Sequence, residues 1–194
     1  QDIMSRYANE IIGHFNPNMF WFARQLLVRV FARLFNSHFG GFKGIFNPQE
    51  KLKDKLIVAG TVEKLRNLSL KGTVILVPTH FSNLDSAIIG FGMDYIGMPA
   101  FQYGAGLNLF NSKIFSFFAG NLGAYKLDRR KKNPIYLETL KSYSKTNVLA
   151  GAHTIFFPGG TRSRAGNIET ELKLGLLGTV MEAQRIHFEK NPAN

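Results

Sequence analysis

The sequence contains no cysteine. Disulfides, thiolate metal centres and a cysteine nucleophile are thereby excluded, and the redox compartment is left open. Acidic residues are scarce: 13 Asp and Glu stand against 24 Lys and Arg, for a net charge of +11. Such a balance draws a protein to polyanions, whether nucleic acid, anionic lipid or phosphorylated substrates. No short apolar run sits behind a basic start, so no secretory signal is read at the N-terminus. The richest apolar stretch, residues 18–39, carries Arg24, Gln25, Arg29 and Arg33. Charges at mid-bilayer are costly, so this stretch is not read as a membrane span.

Several functional signatures are also missing. There is no helix-turn-helix, RNP-like or zinc pattern, and the aromatics lie in apolar runs rather than interleaved with basic residues on one strand face. Nucleic acid is therefore not expected as a partner. There is no G-x-S-x-G elbow, which ranks a serine hydrolase low. The G-x4-G-K-[ST] phosphate loop is absent too.

What remains is a globular composition. Of the 194 residues, 45% are hydrophobic and 19% charged, which suits one domain with its own core. Glycine (19) and phenylalanine (18) are abundant, so tight turns are expected and some phenylalanines are expected to face something other than protein. Residues 18–39 predict a helix capped by Asn18. Its mix of Trp21, Phe20, Phe22, Phe31 and Phe35 with arginines suits an amphipathic helix in the headgroup plane of an anionic membrane. The alternative is a helix packed on the domain with its arginines in solvent. The expected organisation is an N-terminal membrane-interface segment, 1–40, followed by an α/β domain, 41–194.

Beyond a Gly-rich basic loop at 40–55, strand and helix patterns alternate. Strands are expected at 56–59, 73–78, 100–103, 124–127 and 154–157. Helices are expected at 61–69, 83–96, 107–119, 134–149 and 171–186. This order implies an α/β layered fold with a mainly parallel sheet flanked by helices. Active sites in such sheets lie beyond the carboxyl ends of the strands. Three of these ends carry unusual chemistry: Thr79-His80, Asp128-Arg129, and Gly159 to Arg164.

His80 precedes a helix, and Asp85 falls in that helix's first turn. The carboxylate could hold one imidazole nitrogen while the other takes a proton. That is a general base without a protein nucleophile, suited to activating a substrate hydroxyl for direct attack on a thioester. The alternative is a turn His and an Asp that serves the helix dipole. In FFPGGTRSRAG, Gly159 and Gly160 allow a turn with exposed amides, and Arg162 and Arg164 flank Ser163. Arginine grips phosphate with two parallel N–H bonds, so this loop reads as a phosphate cradle that also includes Thr161. In GAYKLDRRKKN, Arg129 and less firmly Lys126 are expected to point into the site, whereas Arg130 to Lys132 read as a solvated charge run.

PTHFSNLDS resembles the first motif of the glycerolipid acyltransferase superfamily, H-x4-D. GAYKLDRR is similar to its second motif, and FPGGTRSRAG to its third, usually F-P-E-G-[TG]-R-S-R. The order and spacing agree over roughly residues 56–186. AGLNLFNSKIFSFFAGNLGAYKLDRR and KLGLL resemble the glycerol-3-phosphate branch most. The resemblance implies that His80 is the base and Asp85 its orienting acid. It implies that Arg162 and Arg164 hold the acceptor's phosphate and that Arg129 belongs to the acceptor pocket. The co-substrate would be an acyl thioester on coenzyme A or acyl carrier protein, with no cofactor and no metal.

Two departures stand out. Gly159 occupies the position of the family's usual Glu, which removes a carboxylate from the acceptor pocket. The fourth motif, an apolar strand around a V-P pair, is expected just past Asn194, so the domain is expected to extend beyond this chain. The expected activity is transfer of a fatty acyl group to glycerol-3-phosphate or a related glycerol phosphate in phospholipid synthesis. The enzyme would sit peripherally on the cytoplasmic face of a membrane. The alternatives are a lysophosphatidate acyltransferase and a catalytically impaired relative that binds anionic lipid.

Overall fold

A computed structural model describes residues 2–35, 57–82, 85–111, 116, 120–159 and 171–191. Two helices come first, α1 (Asp2–Ile11) and α2 (Pro17–Phe35). Then follow α3 (Val62–Lys71), β1 (Ile75–Leu76), α4 (Asp85–Tyr95) and β2 (Gln102–Gly106), the last running into a 3₁₀ turn at Leu107–Asn111. The chain continues through β3 (Ala124–Leu127), α5 (Pro134–Leu149), β4 (Thr154–Ile155) and α6 (Leu177–Lys190).

The four strands form one sheet in the order β1-β4-β2-β3, and every pairing is parallel. The expected α/β layered fold with a parallel sheet and flanking helices is therefore present, together with helices at the N-terminus. Parallel strands are covered on both faces, so their runs are apolar. Tyr103, Ala124 and Ile155 share a face through the register Tyr103↔Ala124 and Tyr103↔Ile155. On that face Ile155 is buried with Ile96, Met98 and Phe101, against Ile89 and Met93 of α4 and Leu65 of α3. The other face carries Tyr125, packed with Tyr136 and Leu140 of α5 and Ile11 of α1. Tyr125 is 1% exposed, and its ring lies across Gly104, its register partner. A Cβ at Gly104 would stand 3.0 Å from that ring. The strand needs glycine there to admit so large a neighbour.

The N-terminal residues are stitched into this core. The Gly123 N–H donates to the His14 carbonyl at 2.9 Å, and the Asn16 N–H donates to the Asn121 carbonyl at 2.9 Å. Phe15 and Leu122 form an antiparallel bridge. α2 lies against α4, where buried Val28 touches Ala87, Ile88 and Phe91, and Arg24 pairs with Asp94 at 2.6 Å. Trp21, Phe22 and Val30 of the same helix are exposed.

Some elements differ from expectation. Residues 57–59 form no strand: Ile57 is exposed, and Gly60 at φ 127° turns the chain into α3. The expected helix at 107–119 begins instead as the 3₁₀ turn, and most of its remainder lies outside the described residues. The last helix starts at Leu177 rather than 171, because the Lys173 N–H is drawn to the Pro158 carbonyl at 2.7 Å. α1, unnoticed in the sequence, follows from Ile3, Tyr7 and Ile11 recurring every fourth residue. By contrast α5 keeps its expected bounds. Pro134 opens it, and the Asn133 side chain accepts the Ile135 N–H at 2.9 Å.

Candidate active site

In a parallel sheet all the carboxyl ends face one way, and the strand order decides which loops become neighbours. β1 and β4 pair directly, so the loop carrying His80 lies beside the loop that begins Phe156-Phe157-Pro158-Gly159. The His80 ring packs on the Phe157 ring, with centroids 4.4 Å apart. Asp128 and Arg129 follow β3, two strands beyond β4, which is about 10 Å along the sheet at the usual strand spacing.

The centre of the site is one carboxylate oxygen. His80 Nδ1 lies 2.9 Å from Asp85 Oδ2. The same Oδ2 accepts the Phe81 N–H at 2.6 Å and the Ser82 N–H at 2.7 Å. The loop after β1 thus folds back over the first residue of α4, whose N-terminus also favours a negative charge. Burial alone would raise the Asp85 pKa. The Ser82 N–H, the His80 imidazole and the Phe81 N–H outweigh it and hold the carboxyl below its usual 3.8. An ionised Asp85 can only accept, so Nδ1 is the protonated ring nitrogen, and Nε2 carries the lone pair in neutral His80. Both side chains are mostly covered, 17% and 18% exposed. The arrangement can hold an imidazole in one tautomer, take a proton at Nε2 and stabilise the imidazolium that results.

The cations around β3 divide into two groups. Asp128, buried, accepts the Arg130 N–H at 3.0 Å and Arg130 Nε at 3.1 Å. Lys131 Nζ reaches both Glu10 carboxylate oxygens, at 2.5 and 2.6 Å, and lies over the rings of Tyr7 and Tyr136. Lys131 is therefore a structural cation and not part of the solvated run expected of it, whereas Arg130, although paired with Asp128, and Lys132 are exposed as expected. Arg129 is exposed and makes no ion pair or hydrogen bond among the described residues. Lys126 shares the face of Ala124 and sits over the Phe110 ring at 5.7 Å. Gly160, Thr161, Arg162, Ser163 and Arg164 lie outside the described residues.

Sequence reasoning did not single out the Phe81 and Ser82 amides or the Phe157 ring, because backbone donors and packing partners leave no residue-type signal. It also passed over His153. That side chain is buried, and its Nδ1 accepts the Val74 N–H at 2.9 Å. Burial lowers its pKa, which keeps it neutral, so it joins the start of β1 to β4 as a structural histidine.

Comparisons with known proteins find acyltransferases. A glycerol-3-phosphate acyltransferase of Alteromonas mediterranea is 25% identical over 91% of this chain and 19% of its own length. A dihydroxyacetone phosphate acyltransferase of Mus musculus is 32% identical over 62% of this chain and 18% of its own. A glycerol-3-phosphate acyltransferase of Aeromonas hydrophila is 31% identical over 69% of this chain and 16% of its own. The chain thus spans less than a fifth of the length of each of these relatives. The family model described as Acyltransferase matches residues 59–188, more than half of the chain, and takes in the dyad, both strand-end loops and the whole sheet. On that match, the chain belongs to the acyltransferase family.

Proposed function

We propose that this chain transfers a fatty acyl group from a thioester to a hydroxyl of a three-carbon phosphate, glycerol 3-phosphate or dihydroxyacetone phosphate. The observation that carries the reading is the Asp85 oxygen shared by His80 Nδ1 and two backbone amides. The relatives' names supply the two acceptors. His80 Nε2 removes the hydroxyl proton as the oxygen attacks the thioester carbonyl carbon. The C–O bond forms, the tetrahedral intermediate collapses, and the C–S bond breaks. The imidazolium then returns its proton to the departing thiolate, and Asp85 stabilises it in between. No acyl-enzyme is needed, and the reaction consumes no metal or redox group. Arg162 and Arg164, with Ser163, hold the phosphate, and Arg129 contributes from the end of β3. Backbone amides around Gly159 receive the oxyanion. The donor is an acyl thioester of coenzyme A or acyl carrier protein.

The protein works at a membrane surface. No described helix is long and apolar enough to cross a membrane. Support for a peripheral mode comes from α2, where exposed Trp21, Phe22 and Val30 stand with exposed Arg29. Binding to vesicles should require anionic lipid and should weaken in Trp21→Ala; equal binding to purely zwitterionic vesicles would remove the electrostatic part of this reading.

The decisive assay is transfer from a long-chain acyl-CoA to each acceptor, with His80→Ala run beside the wild type. Loss of a general base should cost at least about 10²–10⁴ in rate. Transfer by His80→Ala at near wild-type rate would refute the assignment of the base. Absence of transfer to either acceptor from folded wild type would favour a lipid-binding relative, with Gly159 as the altered position.

A further inference from the structure

Residues 2–16 lie outside the segment matched by the family, yet they run along β3: residues 14–16 bond to 121 and 123 at its start, and Glu10 of α1 reaches the turn after its end, which carries Arg129. A chain of contacts runs from α1 to that turn. Glu10 holds the Lys131 ammonium at 2.5 Å. The ammonium lies 5.1 Å from the Tyr7 ring centroid and 5.3 Å from that of Tyr136. The two rings meet edge to face at 5.3 Å. The Tyr136 hydroxyl accepts the Asp128 N–H at 2.8 Å, and the Asp128 carbonyl accepts the Lys131 N–H at 3.2 Å. The Asp128 carboxylate, in turn, holds Arg130. Of the cations in the turn 128–131, Lys131 is held by Glu10 of α1 and Arg130 by Asp128 within the turn, and Arg129 has no ion pair or hydrogen bond among the described residues.

We propose that α1 is a positioning element for the acceptor's phosphate: Glu10 and Lys131 fix the turn 128–131 so that Arg129 is presented at the carboxyl end of the sheet. The proposal rests on the reading of Arg129 as an acceptor-pocket residue. A cation held between a carboxylate and two aromatic rings has few alternative positions, so the backbone it belongs to is fixed with it. Neither Glu10 nor Lys131 touches the substrate. Their effect passes through the conformational freedom of the turn, which has to be surrendered whenever an exposed arginine grips a phosphate.

The test compares Glu10→Gln, Lys131→Met, the double variant and the conservative Lys131→Arg in the whole chain. Acceptor KM should rise about five- to tenfold in both single variants, while kcat and thioester KM stay within about twofold. The double variant should be no worse than the singles, because both remove one interaction. Lys131→Arg, which keeps the cation, should restore most of the acceptor affinity. Hydrogen exchange at the Asp128, Arg130 and Lys131 amides should quicken in the first three variants, with β1 and β4 unchanged. An unchanged acceptor KM, or a uniform fall in kcat that tracks thermal stability, overturns the proposal. If the wild type transfers acyl groups to neither acceptor, the functional reading fails by itself. Exchange then still decides the clamp: unchanged rates at 128–131 overturn it.

Discussion

Asp85→Asn separates the chemistry of the dyad from its architecture. The replacement is isosteric, so an amide oxygen can take the place of Oδ2 and still meet the Phe81 and Ser82 amides. The charge is what disappears. A hydrogen bond to an ionised acceptor contributes about 1.5–3 kcal/mol, against about 1 kcal/mol for a neutral pair. Three such bonds converge on Oδ2, but the side chain is 18% exposed and solvent screens part of the difference. The expected loss of stability near neutral pH is about 1–2 kcal/mol. Catalysis should suffer far more. Without the carboxylate, the imidazole loses both its fixed tautomer and the anion that stabilises its protonated form, at a cost of about 10²–10⁴ in rate. The pH dependence carries a sign that can be checked. The folded pKa of Asp85 is depressed below 3.8, so its stabilisation is fully present above 3.8 and is lost as pH falls through the folded value. Urea unfolding of wild type and Asp85→Asn should therefore differ most near neutrality and converge in acid. A stability difference that stays constant through the acid range, or transfer within about threefold of wild type, would refute an ionised Asp85 as the support of the base.

The remaining predictions concern the surroundings of the dyad. Gly13→Ala should be costly, because a Cβ there would collide with the Ala124 carbonyl oxygen and stand 2.8 Å from its carbon. α1 would have to lift from β3, at about 2–3 kcal/mol, and an unchanged melting temperature would disprove that close approach. His80→Ala, the inactive variant of the transfer assay, should melt close to wild type. The Phe81 and Ser82 amides keep Asp85 in place when the imidazole and its contact with Phe157 are gone. A loss above about 2 kcal/mol would give His80 a structural role as well.

Much of this organisation could be read in the residues because short-range signals carried it. The strand at 124–127 and the helix at 134–149 keep their expected bounds, the one bracketed by Gly123 and Asp128, the other opened by Asn133-Pro134. The H-x4-D spacing was legible for the same reason: five residues are enough for a loop to fold back onto a helix's first turn. Where the reading failed, tertiary packing had decided the outcome. The run at 57–59 is apolar, yet Gly60 turns it away before it can pair. α1 has a clear period of four, but its value comes from Tyr125, Tyr136 and Leu140, more than a hundred residues away. The pairing of Glu10 with Lys131 spans 121 residues, and nothing local distinguishes Lys131 from Lys132.

That pairing changes what the basic composition means. With 24 cations and 13 acids, the sequence invites a view of the positive charge as a diffuse attraction to polyanions. The structure uses part of it differently. Arg24 is joined to Asp94 between α2 and α4, Arg130 to Asp128 within the turn, and Lys131 to Glu10 between α1 and that turn. Two of these three pairs connect N-terminal helices to elements that bear site residues: α4 begins at Asp85, and the turn contains Arg129. Burial even raises the Asp94 pKa against the pull of Arg24, so that contact adds orientation more than it adds stability. Among these described cations two kinds thus stand out, those paired to an acid and, on the proposed function, the one left to meet a phosphate. Arg129 and Arg130 are adjacent and chemically identical, and only the position of Asp128 assigns them to different kinds.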